Sequence, residues 1–136
     1  MSTLTAPTHT ATSTARRALP LFAMTIGGDL TALAIGTAFG AAMVADSNGT
    51  DMTVGPGAVV AASILPLLLA VVVFRLIASR VPTLRRAWTP LVLAAAVLSL
   101  GGLTGAADLP TALTLGTMHL LVGAVAAIAL PARLGD

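Results

Sequence analysis

Three polar side chains interrupt the apolar runs of this 136-residue chain: Asp29, Ser99 and His119. An aspartate and a histidine held at one depth of a membrane can do two things. They can form a structural hydrogen bond, Asp29 to His119 or Asp29 to Ser99, that fixes helix register; or they can pass a proton within a carrier or channel. A charged Asp at a helix centre costs about 2.5–3.5 kcal/mol on insertion scales, and a partner offsets that cost. From the helical rise, Asp29 lies about 16 Å from a start near Ala18, Ser99 about 16 Å from Trp88, and His119 about 18 Å from Pro131. All three therefore fall near the midplane, and Asp29 and His119 are expected within hydrogen-bonding reach, directly or through one water.

Helical direction supports the same pairing, because residues three, four and seven apart share a face. Asp29 shares its stripe with Thr25, Ala32, Gly36 and Gly40, and His119 shares its own with Ala112, Gly116, Gly123 and Ala126. Small residues let spans approach closely, so both ionisable groups are expected to face helix contacts and not lipid. Gly28, Ala32, Gly36 and Gly40 form a four-residue ladder containing a GxxxG pattern, read as packing within the chain ahead of a dimer face. Other chemistry finds no support. No cysteine is present for thiol chemistry, no Glu occurs, and HExxH, GxSxG and a phosphate-cradling glycine loop are missing. A two-histidine haem would need His9, which lies in a tail expected to be disordered. No enzyme activity, cofactor or metal site is expected.

The elements that must position these residues follow from composition. With 57% hydrophobic residues, 9% charged residues and a mean hydropathy of +0.99, the chain lies far from the roughly 25% charged composition of soluble domains. It reads as an all-α integral membrane protein, an up-and-down bundle of four transmembrane helices spanning about 18–45, 57–79, 88–106 and 111–131. Residues 1–15, rich in Ser, Thr, Ala and Pro, are expected to be a disordered cytoplasmic tail, with residues 16–136 forming the membrane domain. A cleaved signal is disfavoured, because the first apolar run exceeds the 7–15 residues of a signal core and carries Asp29. Pro66 predicts a kink in the second span.

Arginine placement orients the spans. Arg16 and Arg17 precede the first, and Arg75, Arg80, Arg85 and Arg86 crowd a basic hairpin loop from Arg75 to Trp88, while Asp46, Asp51 and Asp108 fall in the other turns. Cytoplasmic loops accumulate basic residues, so both termini are expected in the cytoplasm, in a bacterial plasma membrane. Trp88 stands where an interfacial anchor would. The net charge of +2 rests on arginine without lysine and implies no nucleic-acid partner. The bilayer is the expected partner, with a homo-oligomer or another membrane protein as further possibilities.

Read together, VGPGAVVAAS at Val54 to Ser63, RRAWT at Arg85 to Thr89, LSL at Leu98 to Leu100 and MHLLVGAV at Met118 to Val125 resemble the actinobacterial domain-of-unknown-function 6069 family. The resemblance covers roughly Arg16 to Pro131. It implies a small four-span membrane protein and no substrate. Pro66 departs from the family's pattern, in which small residues such as Gly are usual at that point. The role expected is a non-enzymatic accessory or structural component of a membrane complex; the alternative is a proton-coupled carrier or channel subunit using the Asp29 and His119 pair.

Overall fold

The computed structural model describes residues 9–46 and 49–134. Helix α1 (His9–Ala38) leads into a short antiparallel hairpin, β1 (Val44–Asp46) and β2 (Asp51–Thr53), in which Val44 faces Thr53 and Asp46 faces Asp51. Helices α2 (Pro56–Arg80) and α3 (Pro82–Ser99) follow, α3 tightening into a 3₁₀ segment over Leu100–Gly105. Helix α4 (Leu109–Ala124) continues through a π-helical turn, Val125–Ala129, into α5 (Leu130–Leu134). Among the described residues, four helices are long and apolar enough to cross a membrane: Thr14–Ala38, Pro56–Ile77, Thr83–Gly105 and Leu109–Leu134.

Local chemistry sets these boundaries. Gly40 adopts φ +85°, and the amides of Gly40 and Ala41 return to the carbonyls of Thr37 and Gly36 at 3.1 and 2.9 Å. That left-handed cap ends α1 and needs a residue without a Cβ penalty. The first span was expected to reach Ala45; instead the chain leaves the helix at Ala38 and Val44–Asp46 becomes a strand. At its other end α1 begins at His9, so the expected disordered tail is helical from His9 to Ala15. Alanine and arginine are strong helix formers, and a helix already nucleated by the apolar run extends into them at little cost. Residues 1–8 of the tail lie outside the described residues. The expected basic loop is also mostly helix. Proline at the first turn of α3 suits a helix start, and Val81 alone joins α2 to α3. Helix α2 runs unbroken through Pro66.

Each helix packs against its neighbours in sequence, and α1 closes the ring against α4. Two apolar clusters fill the interior. One, towards the arginine-bearing helix ends, gathers Leu21, Leu67, Phe74, Trp88 and Leu130; the other, towards the hairpin, gathers Leu33, Met43, Val59 and Met118. Between these clusters lies a thin polar layer.

Candidate functional site

Asp29 in α1 and Ser63 in α2 are that layer. Asp29 is 2% exposed and Ser63 equally buried, and 2.6 Å separates Ser63 Oγ from Asp29 Oδ2. The same Oγ lies 2.8 Å from the carbonyl of Val59, one turn back. A serine hydroxyl has one proton, so it cannot donate to both acceptors together. Both contacts hold at once only when the carboxyl carries a proton and donates to Ser63, which then donates to Val59. Asp29 Oδ1 has no hydrogen-bond partner among the described residues.

This differs from the expected pairing. His119 is exposed, and its Nδ1 lies 2.8 Å from the carbonyl of Leu115 in its own helix. A carbonyl only accepts, so Nδ1–H is the donor and Nε2 is left as the acceptor of a neutral ring. Ser99 is exposed as well and donates to Ala96 at 2.6 Å. Neither is hydrogen-bonded to Asp29. All three nonetheless border a single cavity of about 610 Å³, and His119 is near enough to act on Asp29 electrostatically.

Ser63 was missed because the first span was drawn too long. Counted from Ala38, where α1 ends, Asp29 is about 14 Å deep; Ser63 is about 11 Å from Pro56. With the helix end correctly placed, the two match in depth, and the glycine-capped turn at Gly40 was the signal available.

The glycine ladder divides by role. A Cβ on Gly28 would run into Leu121, one on Gly36 into Thr114, and one on Gly123 into the Cβ of Ala96; one on Gly116 would sit 3.1 Å from Leu103. These are close-approach positions of α1 on α4 and of α3 on α4. Ala32 is half-buried and packs on the cluster around Leu33. Gly40 is not a packing residue: nothing lies within 4 Å of a Cβ there, and its place is the helix cap. The orienting arginines Arg16, Arg17, Arg75, Arg80, Arg85 and Arg86 are all exposed.

At the hairpin end, Asp108 caps α4. Its carboxylate accepts from the amide of Thr111 at 2.6 Å and from that of Ala42 at 3.0 Å, while Thr111 Oγ1 accepts from Met43 at 3.0 Å. The bonds from Thr111, backbone first, and then from Ala42 hold this carboxyl below its ordinary value of 3.8.

Four apolar helices closed around one buried carboxyl define a multi-pass membrane protein. Residues 9–136 match the model of a family of unknown function, DUF6069, and the chain belongs to that family. Comparison with curated proteins and with solved structures returned no match.

Proposed function

We propose that the protein is a non-enzymatic component of the bacterial plasma membrane, both termini in the cytoplasm, serving as an accessory or structural part of a membrane complex. One observation carries this reading: the buried carboxyl is spent on a cross-helix bond to Ser63 between two apolar clusters. A proton route needs polar groups leading to the site from both sides, whereas a bond enclosed by apolar layers fixes the register of α1 on α2. The segregation of arginine from Asp46, Asp51 and Asp108 supports the orientation.

Two measurements test the proposal. Reporters fused at Ala132 should read cytoplasmic and one at Thr50 external, with Arg80, Arg85 and Arg86 changed together to Asn giving mixed orientations; an external reading at Ala132 sinks the topology. Crosslinking in cells followed by purification should retain a second membrane protein or a second copy. Recovery of the monomer alone defeats the accessory role.

The unpartnered Oδ1 of Asp29 favours a second reading, a proton site in a carrier or channel subunit. Proton uptake into liposomes holding the purified protein, abolished by Asp29→Asn with the fold kept, would establish it in place of the first.

A further inference from the structure

The cavity bordered by Asp29 is amphipathic along its length. Polar groups occupy one part: Asp29, Ser99 and His119. Beyond them, towards the arginine-bearing ends, its walls are apolar, including Pro66, Val73 and Ile77 of α2, Leu91 of α3, and Trp88. Since Trp88 stacks edge-on against Phe74 at 5.1 Å, the distance from the Ser63 level to the Trp88 level is that from Ser63 to Phe74 along α2, about 16 Å. Leu69 and Leu91 on its rim are exposed, which opens the cavity at the bundle surface, where a membrane protein meets lipid. A second cavity, about 570 Å³ between α1 and α4, is different. Its hydroxyls, Thr31, Thr114 and Thr117, all donate within their own helices, and it offers a ligand no unmet polar group.

The unmet groups of the first cavity specify a ligand. A 98% buried carboxyl with one oxygen lacking a donor is expensive in a bilayer. His119 Nε2 is an acceptor too. A hydroxyl would supply a donor; an ammonium supplies several donors and the positive charge that a buried carboxylate needs. We propose that this cavity binds a single-chain amphiphilic amine from the bilayer, its ammonium at Asp29 and beside His119, and its hydrocarbon chain running along α2 towards Trp88. The site rests on the membrane reading and is independent of the accessory role.

The only tryptophan of the chain reports on it. In lipid nanodiscs holding the full chain, ω-bromoundecylamine should quench Trp88 fluorescence saturably, and unbrominated undecylamine should reverse the quenching. ω-Bromoundecanol, which enters lipid equally but lacks the charge, should give only the non-saturating quenching of bromine dissolved in the bilayer. Asp29→Asn should raise the half-saturating amine concentration about tenfold, the scale of one charge-assisted bond. Should that variant fail to fold, Ala95→Phe keeps the carboxyl and fills the groove from an exposed position on α3; it should abolish saturable quenching. Equal behaviour of amine and alcohol, or undiminished saturation in Ala95→Phe or in folded Asp29→Asn, overturns the proposal. A crosslinking result that defeats the accessory role would leave these outcomes unchanged.

Discussion

The seam where α1 meets α2 and α4 and the exposed face of α3 are built from much the same residues, alanine, glycine, leucine and valine, and they are packed very differently. In the seam, Gly28 and Gly36 admit Leu121 and Thr114 so closely that no Cβ could be added without displacement, and Asp29 bonds across to Ser63. Along α3, Leu93, Val97 and Leu98 stand exposed, and just 6% of its span is buried within the chain. Hydrophobicity cannot account for the difference, because lipid tails are as apolar as leucine. Close contact in a bilayer comes from small residues and from polar ties. Helix α3 has both only locally: Gly123 against Ala96, and the two bonds from Trp88 Nε1 to Ala126 and from Thr89 Oγ1 to Ala127, each 2.8 Å.

If α3 hangs on those few points, Trp88→Ala should be the most damaging single change. Trp88 is 4% exposed; losing its ring contact and its hydrogen bond should cost about 3 kcal/mol, read as a lowered midpoint of detergent unfolding by circular dichroism. A loss no greater than that of a lipid-facing Leu98→Ala would mean α3 is held elsewhere.

Next in size is a matched glycine pair. Gly123→Ala forces α3 and α4 apart and should cost about 1–3 kcal/mol, whereas Gly27→Ala, with nothing within 4 Å of the new methyl, should gain about 0.5–1 kcal/mol from helix propensity. Similar effects at both sites would erase the distinction between seam and surface.

Within the seam, a double-mutant cycle sharpens the polar tie. Asp29→Ala with Ser63→Ala should show a coupling of about 0.6 kcal/mol, at most about 1.7. Asp29→Ala with His119→Ala should be close to additive in the ligand-free protein, since no hydrogen bond joins them. Coupling found in the second cycle and missing from the first would return His119 to the role of partner.

The smallest effect belongs to the hairpin end. Asp108 has its folded value below 3.8, so its stabilising bonds are fully present above the unfolded value and are lost as pH falls through the lower folded one. Amide exchange at Ala42 and Thr111 should therefore accelerate only at pH below 3.8, and Asp108→Asn should remove that dependence. Acceleration at higher pH would assign the transition to another group.

Long apolar runs made the four helices legible from sequence, because hydropathy over some twenty residues is a strong signal. Their ends were not. Gly40 to Ala45 is as apolar as the helix before it, and only the left-handed turn at Gly40 separates span from hairpin. Val81 likewise joins two helices where a cluster of arginines resembles a loop. The site inherited these errors: Asp29 was correctly singled out, but its depth, and hence its partner, depended on where α1 stopped. His119 was assigned to a helix contact from the small residues around it. The buried stripe of α4 instead runs through Thr111, Thr114 and Met118, placing His119 at its edge, beside the cavity. Gly28, Gly36 and Gly123 were legible because contact between spans leaves little choice of residue.

The π-helical turn at Val125–Ala129 makes the last part of the chain sensitive to length more than to composition. A π turn takes up one residue beyond the α-helical count, and here it accompanies the carbonyls of Ala126 and Ala127 that receive Trp88 and Thr89. Removing one alanine would let the helix close to regular geometry and rotate everything after it by about 100°. Leu130 and Leu134, both buried, would swing out of the core, and Arg133 would change the side on which it meets the membrane surface. A deletion that preserves hydropathy almost perfectly would thus rewrite the carboxy-terminal face, while many substitutions at the same alanines would leave it where it is.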